Sequence, residues 1–460
     1  MPVDPHIRIL VVDDSGTMRI MFKQYLAKAG FKNLVMAVDG EDAIQKLQED
    51  NRFDLVISDW NMPNKDGLDL LQWMRQEATC KSLPFIMATA QGDKSQQKVA
   101  YDNGASGHIA KPFDADELKS AITGILAPDT LEKAGPKKHV HRNGKVVLNI
   151  GHIQITDHLA LGVLKHKIAS GEITPQYFEL ETHRMAGWNP IQTALEKGEI
   201  DGAFVLAPIA MDLFAFEVPI QLILLAHKNG SGFIRNANFT DAQTDSLQSF
   251  YKYKVINIPH KMSIHNMLAH KFLKQLGLKP GVPGKNAINV RFEVVPPIKM
   301  PGIMKENENV GGFIVAEPIC TNAVAKGIGQ TEFISAAVWP NHPCCVVALR
   351  DEVIGKYPDA VHELTQMIVD AGQFIETHKE AASEIAVNFL DPTGELGLNT
   401  TLLKKVLSEP MGINMHDLFP RLEDLDKIQQ YMFHEMGIGK LIDLEKFVNL
   451  EFASEACKNR

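Results

Sequence analysis

The sequence predicts an α/β protein in which a doubly wound, flavodoxin-like parallel sheet precedes a second and larger α/β region. Three observations predict it. Before residue 127, short apolar strands alternate five times with helical stretches, and that alternation builds a parallel sheet with helices on its faces. The strand ends carry Asp13-Asp14, Asp59, Thr89 and Lys111, at the edge where ligands of such sheets gather. The chain has 460 residues, too many for one compact core, so more than one domain is expected.

In order, the first strands read at 7–12, 33–38, 53–58, 84–89 and 107–110. The helices between and after them fall near 16–29, 40–50, 67–78, 94–103 and 114–126. The run from Asp54 to Ser58 is apolar, ends on Asp59 and is broken by Pro63, which stops a strand. From Ala127 to Lys145 the text is polar, contains two Pro and two Gly and lacks apolar periodicity, the composition of a tether. The expected division is therefore 1–127, a linker at 128–145, and a domain from 146 to 460. Strands in that domain are expected at 146–150, 202–206, 220–226, 254–258, 291–295, 312–316 and 345–349. Four helices are expected near its end, at 360–379, 380–389, 401–407 and 422–436. A region this long suggests two lobes.

Composition bounds the function. Apolar residues make up 45% and charged residues 22%, as in ordinary globular proteins. A net charge of −9 argues against a broad nucleic-acid surface, and no DNA-binding helix-turn-helix follows the linker. No uninterrupted apolar run is long enough to span a membrane. The amino-terminal residues lead directly into a strand without a charged-then-apolar leader. Five cysteines without metal-type pairing suit a reducing compartment. The expected location is the cytoplasm.

The amino-terminal strand ends carry the strongest chemistry. Three carboxylates and an ammonium crowded on one sheet edge are costly unless a divalent cation and a phosphoryl group occupy the cluster. Asp59 is the candidate nucleophile. Asp13, Asp14 and Asp59, with the backbone carbonyl of Asn61, are the candidate Mg²⁺ ligands. Thr89 and Lys111 would bind phosphoryl oxygens. The competing reading makes each acid a helix or turn cap. Residues 5–126 resemble response-regulator receiver domains, through Asp59-Trp60-Asn61-Met62-Pro63-Asn64-Lys65-Asp66-Gly67-Leu68, Gly104-Ala105-Ser106-Gly107-His108 and Lys111-Pro112-Phe113. The stretch at Asp59 is especially similar to the chemotaxis type. The resemblance implies a histidine kinase or phosphorelay donor as partner, a switch in which Thr89 moves toward the phosphoryl group, and a cis Lys111–Pro112 bond. It also makes His108 a switch residue, in a place where the family usually carries Tyr or Phe.

In the second region, Gly151–His158 follows a strand and would open a helix, presenting backbone N–H groups to an anion. Residues 146–360 resemble the periplasmic-binding-protein type II fold, closest to nitrate and bicarbonate binding components of ABC importers and their cytosolic nitrate-sensor relatives. The blocks that carry it are Gly198–Ala203 with Ala207-Pro208, His265-Asn266-Met267-Leu268, Val294–Pro297, Glu317-Pro318, and Trp339 with His342-Pro343. The resemblance implies two lobes closing on a small ligand, with Trp188, His265 and Pro297 lining the pocket. At the fourth ligand-binding position, Cys345 stands where the nitrate binders carry Lys. Losing that charge-assisted partner costs an anion roughly 1.5–3 kcal/mol. His265, His227 or Lys228 could still attract an anion, and a neutral organic ligand is equally open. Cys344-Cys345 reads either as buried small apolar residues or as a redox or metal pair.

The expected protein is thus a non-enzymatic cytoplasmic response regulator whose clamshell domain senses a small, possibly anionic ligand and signals through a protein partner. Three alternatives remain open, the first two being an ABC-importer-type binding component and an enzyme similar to thiamine-pyrimidine synthases, which use a cysteine-rich stretch. A third is a clamshell serving only as a scaffold.

Overall fold

The computed structural model describes residues 4–50, 52–90, 99–111, 113, 115–126, 141–185, 187–237, 246–282 and 287–458. These fall into two compact units that divide near residue 135.

The first unit holds one parallel sheet of five strands, β1 (Arg8–Val12), β2 (Asn33–Ala37), β3 (Leu55–Asp59), β4 (Phe85–Ala90) and β5 (Gly107–Lys111), in the order β2-β1-β3-β4-β5. Every residue of β3 is buried, as expected for a strand covered on both faces. Its helices begin on side-chain caps. The Ser15 hydroxyl accepts from the Met18 amide ahead of Gly16–Lys28, Asp39 does the same for Gly40–Glu49, and Asp66 with Asp69 forms a capping box for Gly67–Gln76. Asp39 and Asp66 are thus the caps, while Asp13 and Asp59 turn elsewhere. Of the helix expected at 94–103, residues 99–102 are helical and the rest of its first half lies outside the described residues. The expected cis bond at Lys111–Pro112 also falls there, because Pro112 is not described.

The second unit contains two sheets. One runs β10 (Ile220–Leu225), β17 (Cys345–Arg350), β9 (Gly202–Leu206), β7 (Lys145–His152), β6 (His141–Arg142), with β8 (Phe178–Arg184) also on β7. The other runs β13 (Pro280–Gly281), β14 (Val290–Val294), β12 (Val255–Ile258), β15 (Val310–Ala316), β11 (Ser231–Asn236), β16 (Gly329–Ile334). The chain passes from the first sheet to the second through residues 226–230 and returns through 335–344. Long carboxy-terminal helices clasp both: Pro358–Thr377 packs on Leu159–Ala169, and Leu422–Met436 on Ile264–Gln275. One continuous apolar cluster joins them.

Two sequence expectations need correcting. Residues 141–145, read as tether, form a hairpin onto β7, with His141 opposite Val146 and Arg142 opposite Lys145. Strands β8, β11, β13 and β16 were not expected. Phe178-Glu179-Leu180-Glu181-Thr182-His183-Arg184 and Gly329-Gln330-Thr331-Glu332-Phe333-Ile334 are only partly buried. Their charged and polar residues suit sheet edges and hide the apolar signal of a strand.

Candidate functional sites

In the first unit, β1, β3, β4 and β5 deliver their carboxyl ends to one edge of the sheet, and the side chains meet there. One oxygen from each of Asp13, Asp14 and Asp59 lies within 4.8 Å of the others. The Lys111 ammonium sits 2.9 Å from Asp59 Oδ1 and also pairs with Asp13 Oδ2. Asp59 Oδ1 further accepts from the Trp60 amide at 2.8 Å, and Asp13 Oδ1 from the Ser15 amide at 2.9 Å. Asp59 is less exposed than its expected role suggests, with 13% of its side-chain surface reaching solvent. Burial pushes its carboxyl up to about 7; Lys111 opposes the rise, while Asp13 and Asp14 add to it. Lys111 stays charged, because Asp13 and Asp59 overcome the burial that works against it. Asn61 lies two residues past Asp59 in the loop after β3.

Thr89 is buried in β4, and β5 runs beside it. Its hydroxyl lies 2.6 Å from His108 Nε2. Burial holds the His108 imidazole down at about 4, so the ring is neutral at pH 7.

In the second unit, the named candidates converge only in part. Trp188 opens the helix Trp188–Lys197 and is fully buried with its indole N–H unpartnered. His158 packs edge-on against it, ring centroids 5.7 Å apart. The Ile153 amide donates to His158 Nδ1 at 3.0 Å, so the neutral ring carries its proton on Nε2, and that atom too lacks a partner. His265 starts the helix Ile264–Gln275 behind the Ser263 cap, places Nε2 2.9 Å from Ser231 Oγ, and leaves Nδ1 unpartnered. His342, on the return crossing, has an orphan Nε2. Buried polar atoms without partners are uncommon in folded proteins, and Trp188 Nε1, His158 Nε2, His265 Nδ1 and His342 Nε2 are among them here. Pro297 is buried in the turn Pro297–Lys299, where its ring adds only apolar surface.

Four amides of the Gly151–His158 segment are bonded within the protein and so are not offered to an anion. The Ile153 amide goes to His158, Ile155 to Ile153 O, Thr156 to Glu317 O and His158 to Ile155 O. Those Thr156 bonds, from its amide at 2.9 Å and its hydroxyl at 2.8 Å, also tie the two sheets' loops together. Glu317 itself bonds the Thr321 amide and hydroxyl, each at 2.9 Å, and burial lifts its carboxyl to about 7.

None of the three expected cationic anchors is a free positive charge. Lys228 pairs with Asp417. Burial depresses His265 to about 3, with His342 and His227 adding to the fall. His227 is charged: burial opposes this, but Asp157, 2.9 Å from its Nε2, holds it up at about 10.

Sequence reasoning missed Asp157, which is fully buried and faces Cys345 Sγ at 3.5 Å and Cys344 Sγ at 3.9 Å. No local signal marked it, because β9 separates β7 from the strand that Cys345 begins, and its partners lie far along the chain. Burial raises the Cys344 thiol, but hydrogen bonds with Cys345 and His227 win and leave it below the ordinary thiol range. Burial and the charge on Cys344 push Cys345 well up.

Both units resemble known proteins. Residues 9–123 match the response regulator receiver domain and residues 142–389 the NMT1-like family. The chemotaxis protein CheY of Pseudomonas aeruginosa is 41% identical over 120 residues, 26% of this chain and 96% of that protein. Two solved structures share the fold of the second unit. The ligand binding component of an ABC-type import system from Staphylococcus aureus, with zinc bound, superposes with a TM-score of 0.58 at 24% identity, covering 67% of this chain and 98% of its own. The periplasmic nitrate-binding protein NrtA of Synechocystis PCC 6803 gives 0.58 at 18% identity, covering 68% and 88%. Among the described residues no helix is long and apolar enough to cross a membrane.

Proposed function

Because the chain belongs to the NMT1-like family and carries a response regulator receiver domain at its amino end, we propose that it couples phosphorylation of Asp59 to ligand occupancy of its carboxy-terminal domain. The observation that carries this reading is the meeting of Asp13, Asp14, Asp59 and Lys111 at one sheet edge. Three oxygen donors of this kind fit Mg²⁺, and a carboxyl lifted to about 7 marks charge that a cation would relieve. Asp13, Asp14, Asp59 and the Asn61 carbonyl would hold the ion. When bound, it would screen the carboxylates and offset the negative charge of an incoming phosphoryl group.

The Asp59 carboxylate then attacks the phosphorus of a donor phosphohistidine, the donor P–N bond breaks and its imidazole leaves neutral after taking up a proton, and Lys111 meets the negative charge on the transferred group. Thr89 leaves His108 and donates to a phosphoryl oxygen. The chain needs no catalytic output of its own, and the signal passes by protein contact. A donor of this kind works inside the cell, which favours a cytoplasmic site of action. The unpartnered Trp188 and His158 donors favour a small ligand that accepts hydrogen bonds, and the paired Lys228 disfavours a simple anion such as nitrate. Coupling of the two sites is reciprocal, since a ligand that prefers one receiver state must bind that state more tightly.

Hydrogen exchange of the full chain with Mg²⁺ and beryllofluoride tests the coupling. The proposal expects altered protection in peptides from 146–458 as well as in 4–126, and none with Asp59→Asn. Changes confined to 4–126 would overturn it.

A further inference from the structure

We propose that Asp157, His227, Cys344 and Cys345 form a buried site for one divalent transition-metal ion, zinc being the best match to the donors. Four donor atoms, one from each side chain, lie within 4.8 Å of one another, and all four residues are fully buried. Asp157 Oδ2 is 2.9 Å from His227 Nε2, 3.5 Å from Cys345 Sγ and 3.9 Å from Cys344 Sγ. A tetrahedral zinc ion with bonds of about 2.0–2.3 Å sets its donors roughly 3.3–3.8 Å apart. The Asp157–His227 pair would have to open, the Asp157–Cys345 spacing already fits, and the Asp157–Cys344 spacing would have to close slightly. Both cysteines are free thiols, not a disulfide.

Two local conflicts say that the cluster is incomplete as it stands. His227 Nε2 lies between Asp157 Oδ2 and the Cys345 amide, 3.2 Å away. Protonated, it serves the carboxylate and leaves the amide facing a donor; deprotonated, it serves the amide and turns a lone pair on the carboxylate. A cation between Nε2 and Oδ2 would satisfy both of those atoms, while the Cys345 amide would have to turn to another acceptor. Asp157 Oδ1 and His227 Nδ1 are also buried with no partner. A fully buried carboxylate with an idle oxygen costs free energy that packing of small apolar cysteines does not explain.

The donor set decides the ion class. Two sulfurs, one imidazole and one carboxylate select a borderline-soft ion over Mg²⁺ or Ca²⁺, which prefer oxygen alone. The site is thus chemically distinct from the acidic cluster at Asp59. It also occupies the chain crossings between the two sheets: His227 is on the outward one, Cys344 ends the return, and Asp157 follows β7. An ion there would fasten both crossings to the loop after β7. The proposal goes beyond the ligand-binding reading of this domain: the ion would be held apart from the hydrogen-bond-accepting ligand and would not replace it.

The test uses the full-length chain, reduced, stripped with a chelator and kept in excess Mg²⁺. Cobalt(II) titration should give one equivalent with thiolate charge-transfer and tetrahedral d–d bands, which added zinc bleaches. Cys345→Ser should reduce the charge-transfer intensity, and C344S/C345S should abolish it. Should those variants misfold, zinc-edge absorption of the wild-type chain decides, with two sulfur neighbours at about 2.3 Å expected. Cobalt spectra without thiolate bands, or a zinc shell of oxygen and nitrogen only, would overturn the site. A chain that fails this test yet still transmits beryllofluoride-induced protection changes to 146–458 loses the metal site alone. Retained metal binding without those changes removes the coupling and leaves the site.

Discussion

Asp59 is both the proposed acceptor and the group that most resists being charged where it sits. Its carboxyl is raised to about 7 by burial and by Asp13 and Asp14, so protons and Mg²⁺ compete for it near neutrality. The folded-state value lies above the ordinary 3.8. Stability from the protonated form is therefore complete at low pH and lost as pH rises through about 7, and Mg²⁺ restores it on the alkaline side. Apparent Mg²⁺ affinity should fall by roughly tenfold per pH unit below 7, one proton being displaced per ion. Fluorescence of the adjacent Trp60, titrated at pH 6, 7 and 8 against a Trp60→Phe control, measures this. An affinity independent of pH would contradict the raised carboxyl.

At the scale of elements, Gly67 links helix placement to chemistry. It opens Gly67–Gln76, and a Cβ there would lie 2.1 Å from the Asp59 carbonyl oxygen. Gly67→Ala must push the helix start or the end of β3 aside, at a cost of about 1–3 kcal/mol. The shift in urea midpoint measures it, and Mg²⁺ affinity should weaken with it. Unchanged stability and affinity would mean that the strand end has slack.

The same elements explain what the sequence made legible. All five parallel strands of the first unit were readable because each is a short, mostly apolar run, fully buried in β3 and only half-buried in the edge strands β2 and β5. Chemistry at those ends was readable for the same reason. In the second unit, β8 and β16 escaped because edge strands carry charge. Trp188 and His265 were named through resemblance, since a lone buried aromatic or imidazole has no spacing signature. Asp157 was missed because its partners lie on other elements far along the chain. That pairing is created by topology, not by any local pattern.

For the molecule as a whole, buried imidazoles dominate the acid response. Burial holds His260 and His265 near about 3 and His152 and His342 near about 4, below the unfolded value of about 6.5. Between those limits the unfolded chain binds protons that the folded one refuses. Stability is complete above about pH 6.5 and is lost as pH falls toward 4. Glu317, raised to about 7, acts oppositely and offsets part of the loss. The melting temperature of the second unit should therefore drop between pH 7 and pH 5 by the equivalent of a few kcal/mol, and His265→Gln should flatten the profile. A profile unchanged by that substitution would place the acid sensitivity elsewhere.

Acetyl-phosphate labelling of the intact chain in Mg²⁺, with peptide mapping of the acid-stable, base-labile adduct, asks the most direct question. The account predicts a single modified peptide containing Asp59, absent from Asp59→Asn and from the untreated chain. Labelling that persists in Asp59→Asn, or none on a folded wild-type chain, would contradict it.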